Sequence, residues 1–288
     1  MLIQIFIFLV RNYLLYICAT PIGNLLDITE RVIETLNEVD LIAAEDTRNS
    51  IKLLNHFNIK TPMTSYHEFN KYDKADELII KLREGKDIAL ISDAGTPAIS
   101  DPGEVLVKKC HEEGIPVTSL PGACACITAL TLSGISTRRF AFEAFLPSDK
   151  KERRTILNEL VNETRTIIIY EAPHHLLDTL KQLLDVLGDR NITLCKELTK
   201  RFESINRTTL ASSVEFYSEN IPKGEFVLVI EGKSREDIMK EKQASFENMT
   251  IEEHLKSYID KGIDKKEAMK LVAKDRGVSK RDIYNSLI

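Results

Sequence analysis

The chain has 288 residues, of which 43% are hydrophobic and 29% are charged, and its formal net charge is −5. This length favours two domains over one, and the composition is typical of a soluble globular protein. The negative charge excludes a protein that binds nucleic acid through its overall charge, so any affinity for RNA must come from local basic patches.

The chain begins with an apolar run, Leu2–Val10, that has no basic segment before it and no small-residue cleavage site after it. The run is too short to span a bilayer, so we predict neither a membrane protein nor a secretory signal. We interpret residues 1–13 as an extension outside the shared fold, and leave open an extra edge strand or a start-site artefact.

Strand-like apolar runs alternate with helix-like segments over residues 14–134. The predicted strands are Leu14–Ala19, Asp40–Ala44, Met63–Tyr66, Asp87–Ser92 and Pro116–Leu120. The predicted helices are Thr29–Glu38, Arg48–Phe57, Lys74–Glu84, Glu104–Glu113 and Ala123–Leu132. This rhythm predicts an N-terminal α/β domain with a largely parallel sheet covered on both faces.

The loop Ser92–Gly103, which follows the fourth predicted strand, is the most informative stretch of the chain. It lies at the carboxyl end of a strand, where open α/β sheets bind ligands. Its glycines, Gly95 and Gly103, permit close backbone approach, but it contains neither Gly-x-Gly-x-x-Gly nor Gly-Lys-Ser/Thr. It therefore predicts a ligand loop of another kind, with a well-capped structural turn as the alternative.

Residues 135–147 break the alternation, and we interpret them as the connection between two domains. Over residues 148–233 the alternation resumes and predicts a C-terminal α/β domain. Its predicted helices are Glu152–Val161, Leu176–Leu187 and Ala211–Ser218, and its predicted strands are Thr166–Tyr170, Ile192–Lys196 and Glu225–Glu231.

Residues 250–288 form a predicted helical tail, and Lys261–Arg281 holds eight Lys or Arg against three Asp or Glu. Gly277 and the N-cap residue Ser279 predict a turn between two short helices, as in a helix-turn-helix. The predicted apolar core of the tail is Met269, Val272, Ala273, Val278, Ile283 and Leu287. The basic surface indicates either RNA contact or a solvated face.

The cysteines form no Cys-x-x-Cys pair and mostly lie in apolar runs; they are Cys18, Cys110, Cys124, Cys126 and Cys195. This favours reduced, buried thiols in a cytoplasmic protein over disulfides or a zinc site. Cys124 and Cys126 could together hold a soft metal, but no His or further Cys lies nearby in sequence. We predict no metal site.

Eight blocks of the chain resemble, in order, the 16S ribosomal RNA cytidine-2′-O-methyltransferases of the tetrapyrrole methylase superfamily. The blocks are residues 16–25, 44–48, 92–103, 121–123, 145–147, 170–174, 196–200 and 224–232. Four positions depart from the family pattern: His175 replaces Arg, Cys124 a small hydroxyl residue, Ala144 Gly, and Phe69 His. The resemblance implies two α/β domains that share a cleft, plus the helical tail.

The resemblance also implies S-adenosylmethionine as the methyl donor, bound in the shared cleft. The implied donor-binding residues are Pro21, Ile22, Gly23, Gly95, Thr96, Pro97, Ile99, Cys124, Ala125, Tyr170, Ala172, Leu198 and Gly224. Transfer then depends mainly on positioning, because the donor methyl is already activated.

A ribose hydroxyl is a weak nucleophile, so a side chain should take its proton or stabilise the forming alkoxide. We predict Glu45 and Asp93 as the catalytic residues. The other candidates are Asp46, His67, Asp101, Glu171, His174, Lys196 and Glu197. For residues 45–48 the alternative is a helix cap with an ion pair. For Asp93 the alternative is an Asx-type turn, in which its side chain hydrogen-bonds the nearby backbone.

The expected function is methylation of a cytidine 2′-hydroxyl in the decoding region of 16S rRNA, with the small ribosomal subunit as partner and a homodimer as the assembly. A small-molecule tetrapyrrole methylase and a non-catalytic RNA-binding relative are the alternatives. We expect basic residues to flank the cleft mouth and guide phosphates inward. They are Arg138, Arg139, Lys150, Lys151, Arg153 and Arg154.

Overall fold

A computed structural model describes residues 13–246 and 249–287. Its first sheet is parallel and has the strand order β3-β2-β4-β1-β5. The strands are β1 Leu15–Cys18, β2 Leu41–Ala44, β3 Met63–Ser65, β4 Ile88–Ile91 and β5 Val117–Leu120. The helices that follow them are α1 Glu30–Glu38, α2 Thr47–His56, α3 Lys71–Arg83, α4 Gly103–Glu112 and α5 Ala125–Ser133.

The first sheet is covered on both faces, as predicted. On one face Leu15 and Leu90 pack with Leu78 of α3 and Leu106 of α4. The other face packs against α1 and α2. All four residues of β4 are buried, which explains its uninterrupted apolar sequence.

The second sheet is mixed, with the strand order β6-β7-β10-β8-β9. Its strands are β6 Phe140–Phe145, β7 Thr166–Glu171, β8 Asn191–Lys196, β9 Ser204–Thr209 and β10 Phe226–Ile230. β6 and β7 are parallel and the remaining pairs are antiparallel. One face packs against α6 Lys150–Glu159, α7 Leu176–Leu187 and α8 Leu210–Glu219.

Helix α5 covers the other face of the second sheet, although it precedes the predicted domain boundary. Its residues Cys126, Ala129 and Leu130 pack against Ile168 of β7 and Val229 of β10. The helix ends at Gly134, whose φ of 66° is the left-handed conformation that glycine favours. Helix α5 therefore joins the two sheets.

Residues 135–147, interpreted from the sequence as the connection between the domains, contain a strand that was not predicted, β6. The alternation of β6 is interrupted by a register shift between Phe142 and Phe145, which hid the strand. The sequence prediction also missed β9, because this edge strand is polar and exposed and so leaves no apolar run.

The tail contains α10 Ile251–Ile259, α11 Lys265–Arg276 and α12 Lys280–Asn285, preceded by α9 Arg235–Ala244. The predicted turn forms at Gly277, with φ 66°, and Ser279 caps α12. Most of the predicted tail core is buried, but Val278 is 43% exposed, because it lies in the turn between the helices.

Residues 1–12 of the predicted N-terminal extension lie outside the described residues, whereas Tyr13 packs against the core of the first sheet. Among the described residues, none of the helices combines the length and the hydrophobicity that a membrane span requires.

Candidate functional site

A cavity of about 300 Å³ lies between the carboxyl ends of the first-sheet strands and the second sheet. The first half of the chain contributes Ile22, Ala94, Gly95, Thr96, Ile99, Cys124 and Ala125. The second half contributes Phe145, Tyr170, Glu171, Ala172, Cys195, Leu198, Lys200, Glu225, Phe226 and Val227. The cavity is therefore built by both sheets, and its volume reaches the lower end of the range of small-molecule sites.

Loop Ser92–Gly103 forms one wall of this cavity, and its shape depends on Asp101. One carboxylate oxygen of Asp101 accepts hydrogen bonds from the amides of Ala98, at 2.9 Å, and Gly103, at 2.8 Å. Ala98 has φ 64° and Ser100 has φ 68°, which is unusual for residues with a Cβ. Asp101, one of the candidate catalytic groups, thus holds the loop in its strained conformation.

Tyr170 connects the second sheet to α5 at the opposite wall. Its hydroxyl accepts a hydrogen bond from the amide of Cys126, at 3.0 Å. Its ring lies edge-on to Phe142 and Phe145, with ring centroids 4.9 and 5.6 Å apart. Burial raises the pKa of Tyr170, so the hydroxyl stays protonated at neutral pH.

Nine of the thirteen predicted donor-binding residues line this cavity: Ile22, Gly95, Thr96, Ile99, Cys124, Ala125, Tyr170, Ala172 and Leu198. Pro21 and Gly23 line a neighbouring hollow. Pro97 and Gly224 line neither space. A Cβ at Gly224 would lie 2.5 Å from Cγ of Glu197, so this glycine makes room for a carboxylate of the protein itself.

The neighbouring hollow, of about 320 Å³, is more polar. Its lining residues are Thr20, Pro21, Gly23, Leu25, Asn49, Ser50, Lys52, Leu53, His56, Ser92 and Asp93. Along the loop after β1, Ile22 lines the cavity whereas Pro21 and Gly23 line the hollow. The loop after β4 divides in the same way, with Asp93 at the hollow and Thr96 at the cavity. These two loops separate the two spaces.

The structure brings the two predicted catalytic residues together, although only Asp93 lines the hollow. The amide of Asp93 donates to Oε2 of Glu45, at 3.4 Å. The Asp93 carboxylate accepts from the amide of Asp46, at 3.2 Å, and from Nδ2 of Asn49, at 3.0 Å. Burial, together with the charges of Asp93 and Asp101, raises the pKa of Glu45.

Asp46 and Arg48 have the capping role that was the alternative interpretation of their block. The Asp46 carboxylate accepts from the amide of Arg48, at 2.8 Å, and caps α2. The Arg48 guanidinium also bonds this carboxylate and holds the pKa of Asp46 down at about 2. The sequence block thus combines a capping pair with a candidate catalytic carboxylate, Glu45.

Lys200 is a cavity residue that sequence reasoning missed. It bridges Glu197, at 3.0 Å, and Glu225, at 2.8 Å. The turn before it is left-handed at Glu197, with φ 51°, and at Thr199, with φ 64°. Residues 196–200 form one of the blocks that resemble the family. Neither Glu197 nor Thr199 is a glycine, however, so the residue types do not indicate the left-handed turn that directs Lys200 into the cavity.

Arg153 does not lie free at the cleft mouth, contrary to expectation. Its guanidinium bonds Gln182, at 2.6 Å, and Thr179, at 2.7 Å, and lies 4.0 Å from the buried carboxylate of Glu171. Thr179 also donates to Glu171. Arg153 and Glu171 therefore hold α6 and α7 against the end of β7.

Arg138 and Arg139 were also misplaced by the prediction. They precede β6, where the carbonyl of Arg139 accepts from Thr166 at the start of β7, whereas the cavity lies at the end of β7. The exposed residues Lys150, Lys151 and Arg154 begin α6, which follows the cavity end of β6. Only this second group lies at the cleft end of the sheet.

Residues 14–213 match the family described as Tetrapyrrole (Corrin/Porphyrin) Methylases. The chain belongs to this family. In residues 13–246 and 249–287, no three His, Cys, Asp or Glu side chains cluster as a metal site would require.

The tetrapyrrole methylase fold is also found in solved structures similar to this one. Diphthine synthase superposes with a TM-score of 0.58 at 14% identity, over 76% of this chain and 90% of its own. The uroporphyrin-III-C-methyltransferase of Thermus thermophilus gives 0.54 at 17% identity, over 75% and 93%. At such identities the likeness concerns the fold alone.

Two relatives in this methylase family are far closer in sequence. The chain is 51% identical to a protein of Halalkalibacterium halodurans, over 94% of this chain and 93% of the relative. It is 47% identical to a protein of Bacillus subtilis, over 95% and 93%. Both relatives are named ribosomal RNA small subunit methyltransferase I.

Proposed function

We propose that this chain transfers the methyl group of S-adenosylmethionine to the 2′-hydroxyl of a cytidine in the decoding region of 16S rRNA. The observation that carries this proposal is the sequence match to ribosomal RNA small subunit methyltransferases, which spans nearly the full length of both chains. A ribosomal substrate also implies action in the cytoplasm.

The cavity between the two sheets is the proposed donor site. Its walls combine apolar and aromatic side chains with close backbone: a Cβ at Gly95 would lie 3.2 Å from Ile22 and 3.4 Å from the carbonyl of Ala123. Ile22, Leu198 and Tyr170 would hold the adenosine, and the ion pair of Lys200 with Glu225 on the cavity wall offers both charges to the zwitterionic methionine end of the donor. The residues therefore fit S-adenosylmethionine, which supplies a methyl group already activated on a sulfonium.

The polar hollow adjoins the cavity along the loops after β1 and β4, and it is the proposed binding site of the RNA next to the acceptor ribose. The 2′-hydroxyl itself must reach the cavity, because the methyl group passes directly from sulfur to oxygen. Glu45 and Asp93, which are hydrogen-bonded to each other beside this border, would accept the proton of the 2′-hydroxyl, and the raised pKa of Glu45 makes its carboxylate a stronger base than an ordinary glutamate. Lys52 and His56 on the hollow's rim would contact the neighbouring phosphate.

The rim of the cleft offers further surface for RNA. Lys150, Lys151 and Arg154 are exposed at the start of α6. Phe202 is 69% exposed, with the guanidinium of Arg201 5.6 Å from its ring centre. An exposed aromatic ring beside a cation is typical of surfaces that stack unpaired bases. The basic tail would add contacts to the phosphate backbone.

A second copy of the chain is proposed to cover α5. This helix packs its inner side on the second sheet, yet its outer side presents Ile127, 44% exposed, and Leu132, 43% exposed. A helix that is apolar on both sides is normally buried on both. Light scattering should give a dimer mass, and Ile127→Glu should yield monomers. Ile221→Glu, on a residue that is 85% exposed elsewhere, is the matched control.

Calorimetry and methyl transfer to purified small subunits test the proposal directly. The protein should bind S-adenosylmethionine in the presence of a chelator, and Thr96→Tyr should abolish binding because its ring fills the cavity. Thr96→Ser keeps the hydroxyl that donates to Ala123, at 2.9 Å, and should bind normally. Transfer to a tetrapyrrole but not to the subunit would overturn the proposed substrate.

A further inference from the structure

Cys124 and Cys126 form a thiol pair at the wall of the cavity, with their Sγ atoms 3.4 Å apart. Cys124 lines the cavity and is half-buried, whereas Cys126 is 4% exposed beneath it. Nothing in the methyl transfer uses either thiol. Moreover, the resemblance leads one to expect a hydroxyl residue at position 124, which could not undergo thiol chemistry.

The local structure activates Cys124 and not the other cysteines. Cys124 is the N-cap residue of α5, so its sulfur lies at the positive end of the helix dipole. The thiol of Cys126 donates to it, and the amides of Ile127 and Cys126 stabilise its thiolate further, which lowers the pKa of Cys124 to about 6. Burial raises the pKa of Cys18, Cys110 and Cys195 to about 12.

We propose that Cys124 is a peroxide-reactive site whose disulfide with Cys126 distorts the wall of the donor cavity and so weakens donor binding. The proposal rests on the assignment of this cavity as the donor site. The Cys124 thiolate attacks one oxygen of hydrogen peroxide: the S–O bond forms, the O–O bond breaks and hydroxide leaves. Cys126 then attacks the sulfenic acid: the S–S bond forms, the S–O bond breaks, and the departing hydroxide takes the Cys126 proton to become water.

The cavity changes because the two sulfurs must approach from 3.4 Å to about 2.05 Å. Cys124 then turns away from the cavity and leaves its extended N-cap conformation. The carbonyl of Ala123, which accepts from Thr96 Oγ1, and the carbonyl of Cys124, which accepts from the amide of Thr128, belong to the segment that moves. The first turn of α5 and the wall formed by loop Ser92–Gly103 are therefore distorted together.

The test combines mass spectrometry with calorimetry on the full chain. After stoichiometric peroxide, the protein should lose about 2 Da, with a peptide linked between positions 124 and 126. Affinity for S-adenosylmethionine should fall at least about tenfold and return with dithiothreitol. Cys124→Ser should show the same affinity before and after peroxide, and the control Cys110→Ala should respond like the wild type.

The proposal is overturned if peroxide treatment leaves both thiols reduced, or if a disulfide forms and donor affinity stays unchanged. If the reduced protein fails to bind the donor at all, the proposed donor site is wrong, and with it the effect of the disulfide on donor binding. The mass measurement reports the chemistry of the thiol pair in either case. Iodoacetamide labelling should favour Cys124 already near pH 7, and equal labelling of all five cysteines would also contradict it.

Discussion

Thr20 and Gly95 exchange two backbone hydrogen bonds: the Thr20 amide donates to the Gly95 carbonyl at 2.9 Å, and the Gly95 amide donates back at 3.0 Å. This pairing joins the loop after β1 to the loop after β4. Ile22 and Thr96 of these loops line the cavity, and Pro21 and Asp93 line the hollow. This backbone pairing therefore fixes the position of the hollow relative to the proposed donor cavity.

Gly95→Ala should disturb this contact. Gly95 has φ 86°, and a Cβ would meet Ile22 and the carbonyl of Ala123. We expect a loss of about 2 kcal/mol in the free energy of unfolding and at least about a tenfold loss in donor affinity. Chemical denaturation and calorimetry measure the two effects.

Gly85→Ala is the matched control, because Gly85 has φ 89° and no atom within 4 Å of a new Cβ. It should show only the cost of the left-handed backbone, about 1 kcal/mol, with unchanged donor affinity. Equal effects of the two substitutions on donor affinity would show that Gly95 has no specific role in donor binding.

Ala144→Gly should stabilise the protein. Ala144 lies at the irregularity of β6 with φ 53°, a conformation that glycine adopts without strain. The expected gain in the free energy of unfolding is about 1 kcal/mol. Ala141→Gly, in the regular part of the same strand, should lose a similar amount, and a loss in both variants would show that Ala144 is not strained.

A buried network that holds the tail together should respond to pH. His254 is 2% exposed; its Nε2 lies 3.5 Å from Asp275, and its Nδ1 accepts from Arg276. Asp275 also pairs with Lys242, at 2.7 Å, and accepts from Tyr258. Burial and the Arg276 charge lower the pKa of His254, whereas Asp275 opposes this change.

Because the folded pKa of His254 lies below the unfolded value of about 6.5, the unfolded tail binds the proton more readily. The tail's stability is therefore complete above about pH 6.5 and is lost as pH falls through the lower, folded pKa. Hydrogen exchange should show faster opening of α10–α12 at acid pH, with α7 unchanged. His254→Gln should abolish this response between pH 7 and 5, and its persistence would assign the effect to another group.

Charge reversal should show which of the basic residues at the two ends of the second sheet contribute to RNA binding. Lys150→Glu with Lys151→Glu should weaken binding to the small subunit at least about tenfold, because it replaces attraction to phosphates by repulsion. Arg138→Glu with Arg139→Glu changes the charge equally at the far end of β7 and should have little effect. Donor affinity serves as the folding control. Equal losses of subunit binding in the two double variants would show that the RNA does not bind specifically at the α6 end of the sheet.

Features that depend on local composition could be predicted from the sequence. Features that depend on which residues a side chain contacts in the folded chain could not. β4 and its loop were predicted because a wholly buried strand leaves an apolar run, and because Gly and Pro mark the turn. Arg153 was misplaced because the sequence shows its charge but does not show that it lies against the buried carboxylate of Glu171. Lys200 was missed because a left-handed turn without glycine leaves no trace in the residue types.

Nucleotide-resolution mapping of ribose methylation in 16S rRNA detects the proposed modification itself. A strain that lacks the gene should lack one 2′-O-methyl cytidine in the decoding region, and the wild-type chain should restore it. In vitro, Glu45→Gln should bind the donor normally but transfer methyl groups about a hundredfold more slowly. Unchanged methylation in the deletion strain, or full restoration by Thr96→Tyr, would contradict the account.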